Sequence, residues 1–293
     1  MDTATTIDQV RAAVHRERSA GRRVGFVPTM GALHEGHLSL IRAARKQADF
    51  VVVSVFVNPA QFSPGEDFEA YPRDSERDAA LVAEAGGDLL FLPQPDEIYP
   101  PGFSTKVRVE GLSEPLCGTH RPGHFDGVAL VVTKLLNIVR PDVSVFGQKD
   151  AQQALLIRRL VRDLHLPGEI VVAPTVREAD GLAMSSRNRY LSAEERMAAL
   201  SLSRGLAAAA RAWEAGERGA GALQETARRE MDAEALVQAE YAEIRDLERL
   251  EPWTGGEGPA LLAVAARVGR ARLIDNVILG TPDGEAPGGG RTR

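Results

Sequence analysis

Apolar residues recur along the first 175 positions in two alternating patterns. Short, almost continuous apolar runs at 23–28 (RVGFVP), 50–57 (FVVVSVFV), 88–93 (DLLFLP), 143–147 (VSVFG) and 169–175 (EIVVAPT) read as strands. Between them, 36–48, 74–86, 127–139 and 151–164 carry apolar residues at helical spacing. The run at 50–57 shows little polar alternation, as a strand covered on both faces of a parallel sheet should. Strands alternating with helices of this length predict an α/β fold built on a Rossmann-like, doubly wound parallel sheet. The segment 104–110 (STKVRVE) also alternates, and reads as a strand lying outside the parallel core.

The pattern changes after about residue 180. Two Ala-rich helices, 193–215 and 220–232, precede three short strand patterns at 239–246, 260–267 and 271–279. This predicts a second, smaller α+β C-terminal domain, with 1–176 forming the first domain and 177–280 the second. The stretch 281–293 is rich in Pro and Gly and lacks an apolar face, which predicts a disordered tail.

Composition narrows the function classes. At 44% hydrophobic and 26% charged the chain is ordinary for a soluble globular protein, and a net charge of −6 speaks against a nucleic-acid binder held by a broad basic surface. A local basic pocket for an anionic substrate remains open. The single cysteine, Cys117, precludes an internal disulfide and a cysteine-rich zinc site, and fits a cytoplasmic location. No apolar run approaches the roughly 18 residues of a membrane span, and the polar, helix-patterned residues 1–21 lack the apolar core of a signal peptide. The phosphate-binding pattern G-x-x-x-x-G-K-S/T is absent, and no G-x-G-x-x-G follows the first strand.

The chemistry concentrates where the first strand ends, in VPTMGALHEGHLSL (27–40). A helix N-terminus presents unpaired N–H groups and the positive end of the helix dipole, so it favours phosphate. His34 and His37 are three apart and share one face there. Gly36 allows close approach of a ligand. In an open α/β sheet ligands bind beyond the carboxyl ends of the strands, which is where this turn falls. A plainer reading makes one histidine a helix cap and the other a surface residue. Elsewhere, FVNPAQF (56–62) offers the amides of Asn58 and Gln61 to a small hydroxy acid. FGQKDAQQ (146–153) repeats the strand–glycine–helix arrangement, with Lys149 available to phosphate, Asp150 as an N-cap and Gln153 on the same side. Cys117, His120 and His124 have loosely zinc-like spacing, but Pro122 and Gly123 break it and no fourth ligand lies nearby. Arg121 in that glycine-rich loop is a candidate auxiliary phosphate contact.

The H-E-G-H of residues 34–37 resembles the H-x-G-H motif of the nucleotidyltransferase superfamily that includes class I aminoacyl-tRNA synthetases. PTMGALHEGH, FVNPAQF, HRPGHFDGV (120–128), FGQKDAQQ and PTVREADGLAMSSRNRYL (174–191) together, in this order, resemble the pantothenate synthetase (pantoate–β-alanine ligase) family. MSSRN stands where the synthetases have KMSKS, with Arg187 replacing the second lysine, as in that family. The resemblance implies an ATP-dependent ligase that condenses (R)-pantoate with β-alanine through a pantoyl adenylate, releasing AMP and pyrophosphate. It implies catalytic roles for His34, His37 and Lys149. It places ATP against Met30, Gly31, His34, His37, Gly147, Gln148, Lys149, Asp150, Val176, Met184, Ser185, Ser186 and Arg187. Pantoate falls to Gln61 and Gln153, and β-alanine to Gln61. Mg²⁺ accompanies ATP, with protein ligands that the sequence does not reveal, and the family implies a homodimer. Another nucleotidyltransferase of the superfamily, or a non-catalytic ATP-binding module, are the alternatives.

Overall fold

The computed structural model of the chain describes residues 1–63, 65, 66 and 68–281. In chain order the first part comprises β1 (Asp2–Ala4), α1 (Ile7–Ser19), β2 (Val24–Thr29), α2 (Glu35–Arg45), β3 (Phe50–Val55), α3 (Ser75–Glu84) and β4 (Leu89–Phe91). The short α4 (Pro95–Ile98) and α5 (Cys117–His120) follow, then α6 (His124–Val139), β5 (Val143–Gly147), α7 (Ala151–Asp163) and β6 (Glu169–Ala173). The six strands form one parallel sheet in the order β1-β4-β3-β2-β5-β6. The chain runs outward from β2 through β3 to β4, then returns to β2's other edge for β5 and β6. That reversal between β2 and β5 opens a crevice at their carboxyl ends.

Side chains alternate across the sheet, so helices cover both faces. Phe26, Phe50, Val52 and Phe146 pack in one core with α1, α6 and α7, while Val27, Val51, Val53, Val143 and Val145 pack in another with α2 and α3. The continuous apolar run at 50–57 is explained by these two cores.

The second part contains α8 (Ala193–Glu214), α9 (Ala220–Asp232) and the antiparallel meander β7 (Val237–Asp246), β8 (Ala260–Val268), β9 (Ala271–Leu279). Leu262, Val264 and Ala266 of β8 share a core with Leu206, Trp213, Leu223 and Met231 of the two helices. Its alternate residues Leu261, Ala263 and Ala265 join the core of the large sheet, beside Leu112, Leu116 and Cys117. One face of the small sheet is therefore shared with the first part of the chain.

The longer elements follow the sequence pattern closely, and the departures are local, among them the unannounced short helices α4 and α5. β1 is a three-residue edge strand, too short for any periodicity to announce it. Residues 104–109 carry no strand: Val107 and Val109 lie against the core as their alternation requires, but the segment has no strand partner and stays a loop. The helix expected at 127–139 begins earlier, at His124, because Gly123 (φ +80°) occupies its N-cap position. The expected disordered tail falls, beyond Thr281, outside the described residues. Among those residues no helix is long and apolar enough to cross a membrane.

Candidate active site

The turn after β2 is held from below. Gly31 and Ala32 adopt positive φ (82° and 51°), bending the chain sharply between strand and helix. The Ala32 and Leu33 N–H groups donate to Oδ2 and Oδ1 of Asp78, both at 2.9 Å. Asp78 lies on α3 and is 1% exposed. A Cβ on Gly31 would stand 2.8 Å from Asp78 Oδ2 and 2.9 Å from Val55 Cγ1, so only glycine fits. The turn ends at His34, the N-cap residue of α2, whose side chain makes no cap hydrogen bond. The His34 N–H instead meets His37 Nδ1 at 3.4 Å. The two imidazoles lie 4.1 Å apart between centroids, and His34 Nδ1 is buried without a partner. Gly36 is needed beneath them, since a Cβ there would lie 2.9 Å from the His34 ring. Burial above all pulls both histidines down: His34 to about 4, aided by the charge of Lys149, and His37 to about 3, aided by His34 and then Lys149.

The second wall comes from the 3₁₀ turn Pro59–Gln61 after β3. Asn58, 1% exposed, caps this turn through Ala60 N–H and donates to Gln61 Oε1 (3.0 Å) and the Gly127 carbonyl (3.1 Å). Tyr99 OH donates to Asn58 Oδ1 at 2.8 Å. Gly127 lets α6 approach, since a Cβ there would sit 2.1 Å from the Ala60 carbonyl oxygen. Gln61 Nε2 rests 2.9 Å from Met30 Sδ. His124 donates from Nδ1 to the Gln61 carbonyl (2.8 Å) and accepts at Nε2 from Arg121 (3.1 Å). Burial, reinforced by Arg121, pulls His124 down to about 4. Arg121 itself is committed to a bidentate pair with Glu66 at 2.6 and 2.7 Å.

The third wall pairs the end of β5 with the loop before α8. Residues Gln148–Asp150 form a 3₁₀ turn leading into α7. Asp150 occupies the N-cap position of α7 but makes no cap hydrogen bond, and its Oδ1 lies 3.8 Å from Lys149 Nζ. Across the cleft, Met184 N–H donates to the Val176 carbonyl (3.0 Å), closing a small hairpin, and Ser185 Oγ accepts from Arg187 N–H (3.3 Å). From β9, Asn276 donates to the carbonyls of Gln148 (2.9 Å) and Lys149 (3.0 Å), and Asp275 takes both terminal nitrogens of Arg177 at 2.6 and 3.1 Å.

These walls enclose a cavity of about 230 Å³ at the crevice between β2 and β5. Met30, His34, His37 and Gln61 line one side; Gly147, Lys149, Asp150 and Gln153 another; Val176, Met184, Ser185, Ser186 and Arg187 the third. Two residues nominated from sequence stand apart from it. Gly31 serves the turn geometry described above, and Gln148 is buried beneath the floor, against Asn276. A larger cavity of about 420 Å³ continues past Lys149 and Arg187 toward Arg267, Arg270 and Arg272 of the β8–β9 hairpin. Cys117 contacts Tyr241 and Arg272, and His120 lies 3.8 Å from Glu240, so the zinc-like spacing joins no metal cluster among the described residues. Sequence reasoning missed Asp78 and Asn276. Asp78 reads as a first-turn acid of an exposed helix, and Asn276 interrupts a strand pattern without saying why.

A parallel sheet that reverses at a paired-histidine helix start, with a lysine and a Ser/Arg loop facing it, defines an α/β protein with an anion-binding site at the switch point of its sheet. Within that class the chain belongs to the pantoate–β-alanine ligase family, whose model matches residues 2–278. A pantothenate synthetase of Pelotomaculum thermopropionicum is 55% identical over 280 residues, covering 96% of this chain and 99% of that protein. A crystal structure of pantothenate synthetase from Thermus thermophilus superposes with a TM-score of 0.90 at 49% identity, over 94% of this chain and 99% of the other. The pantoate–β-alanine ligase of Francisella tularensis, solved with β,γ-ATP and β-alanine, gives a TM-score of 0.77 at 32% identity, over 96% and 99% of the two chains.

Proposed function

We propose that the chain is an ATP-dependent, AMP-forming ligase that joins pantoate to β-alanine within the β2–β5 crevice. Family membership and near full-length relatives support the reaction. The observation that carries the site is the convergence of His34, His37, Lys149, Ser185 and Arg187 on one cavity at the point where the strand order reverses. The pantoate carboxylate attacks the α-phosphorus of ATP, the bond to the bridging oxygen breaks, and pyrophosphate leaves. The β-alanine amine then attacks the adenylate carbonyl, AMP departs, and the amine loses a proton. The first nucleophile is already anionic, so the protein's contribution there is positioning and charge stabilisation. His34 and His37, neutral in this environment, donate hydrogen bonds to phosphate oxygens, while Lys149 and Arg187 supply positive charge. Gln61 and Gln153 hold pantoate, and Gln61 later meets β-alanine.

Mg²⁺ is proposed to enter with ATP as part of the substrate, where it would supply positive charge against the phosphates. Among the described residues no group of three or more His, Cys, Asp or Glu could hold a metal, so no step is assigned to a protein-held ion. We assign residues 1–176 to the nucleotide- and pantoate-binding domain and 177–280 to a lid, supported by the separate core formed by α8, α9 and one face of the small sheet. A homodimer is proposed on family resemblance, and sedimentation of the purified protein checks it. The free thiol of Cys117 supports a cytoplasmic assignment.

The test is exchange of labelled pyrophosphate into ATP. With Mg²⁺ and pantoate present and β-alanine absent, exchange should proceed, and omitting pantoate should abolish it. Exchange that appears only after β-alanine is added would exclude the stepwise adenylate route. Gln153→Ala should weaken exchange chiefly through pantoate affinity, by about 1–3 kcal/mol for a lost hydrogen bond in a closed site.

A further inference from the structure

β9 carries two adjacent polar residues, Asp275 and Asn276, that are 3% and 4% exposed. Buried polar groups in a strand require partners. Here the partners are segments of the active site rather than the small domain's own core. Asn276 Nδ2 donates to the Gln148 and Lys149 carbonyls at 2.9 and 3.0 Å, and Gln148 Nε2 returns a longer contact to Asn276 Oδ1 at 3.4 Å. Asp275 accepts the Asn276 N–H at 2.8 Å and grips Arg177, whose strand pairing with Ala183 forms the base of the hairpin leading to Met184–Arg187. One dipeptide of the C-terminal sheet thus ties together the two segments that face each other across the phosphate end of the cavity.

We propose that Asn276 is a positioning residue for adenylate formation: by fixing the 148–149 carbonyls it sets the direction in which Lys149 leaves the backbone. The small domain then completes the phosphate site as well as covering it. The turn at 148–150 is short and lacks a side-chain cap, so without Asn276 one buried and one part-buried carbonyl lose their donor and the turn is free to relax. A displacement of about 1 Å at a charge-stabilising group is enough to cost up to about 10²-fold in rate. The inference rests on the proposed phosphate role of Lys149.

The experiment compares Asn276→Ala, the isosteric Asn276→Asp, Lys149→Ala and the Asn276→Ala/Lys149→Ala pair at a temperature where thermal melts show each variant folded. Pyrophosphate–ATP exchange with pantoate reads the first half-reaction. Pantothenate release from supplied pantoyl adenylate and β-alanine reads the second. Asn276→Ala should lower exchange turnover about 10- to 50-fold with little change in pantoate KM, and leave the second half-reaction near normal. In the Lys149→Ala background the same change should add less than about threefold, because the two residues act as one unit. Asn276→Asp keeps the volume but loses the donor, and should behave like Asn276→Ala. Equal losses in both half-reactions, or effects of the two residues that simply multiply, would overturn the proposal. Absence of exchange in the unaltered enzyme would sink the underlying ligase reading instead, and this inference with it.

Discussion

His34, His37 and His124 surround the cavity, and burial keeps all three neutral at physiological pH, with values pulled to about 4, 3 and 4. Neutrality fixes tautomers. His37 accepts the His34 N–H at Nδ1, so its proton sits on Nε2, the only donor that ring has to offer a phosphate oxygen. His124 is the reverse, donating from Nδ1 to the Gln61 carbonyl and accepting from Arg121. Replacing His34 or His37 by Ala should therefore lower turnover by about 10²–10³, as for loss of one oxyanion donor, with ATP affinity changed far less. Pyrophosphate exchange should show no acid limb near pH 6.5, since none of the three titrates there in the fold. Stability responds in the same window. An unfolded histidine titrates near 6.5, so between that pH and about 4 the unfolded chain binds more protons than the folded one, and stability falls as pH falls. His37→Gln removes part of that difference, and its melting temperature should drop less between pH 7 and 5 than that of the unaltered protein. A steeper drop would mean that His37 is charged in the folded state. The shared face of the two histidines was legible from their spacing. Their neutrality was not, because it depends on burial in the folded cavity and on the charge of Lys149, more than a hundred positions away in the chain.

At the scale of elements, α3 is the support on which the turn carrying the proposed catalytic histidines stands. Its Asp78 takes the N–H groups of Ala32 and Leu33 and fixes where α2 begins, about forty-five residues earlier in the chain. Asp78→Ala leaves two buried donors unpaired and should destabilise the fold by about 2–6 kcal/mol, at about 1–3 kcal/mol for each group. Asp78→Asn restores one acceptor and should recover about half of that, in both melting temperature and exchange rate. If Asp78→Asn matches the unaltered protein in both, the turn is held by its glycine geometry alone. The same element shows what periodicity reports and what it omits. The 74–86 pattern located α3 to within two residues, but a carboxylate in the first turn of a helix looks the same whether it faces water or a turn. β1 escaped notice because three residues carry no period. Residues 104–109 alternate truly, with Val107 and Val109 inward, yet a strand also needs a neighbour to bond, and alternation does not supply one. The parallel strands, by contrast, read clearly because both faces are buried and no polar alternation is tolerated there.

For the whole molecule, the acyl adenylate is the vulnerable point of the proposed cycle, since water competes with β-alanine for the activated carbonyl. The larger cavity between the two parts of the chain is where such water would enter, and contacts across it determine how well it is closed. Besides Asn276, one polar tie gathers at Cys117 of α5, whose sulfur meets Arg272 of β9 (3.4 Å) and Tyr241 OH of β7 (3.2 Å), while Glu240 of β7 holds Arg272 from within the small sheet (2.8 Å). Arg272→Ala removes the guanidinium from this group but leaves Lys149, Arg187 and both glutamines untouched. Adenylate formation should survive, with exchange within about threefold of normal, because none of its charge-stabilising groups is lost. Protection should suffer: AMP should accumulate in excess of pantothenate, and should form slowly even when β-alanine is omitted. Cys117→Ser retains a polar group at the centre of the contact and should keep AMP and pantothenate equal. Separation and quantitation of the two products decides the matter. A one-to-one ratio in Arg272→Ala, accompanied only by a lower melting temperature, would show that this contact stabilises the small sheet without guarding the intermediate.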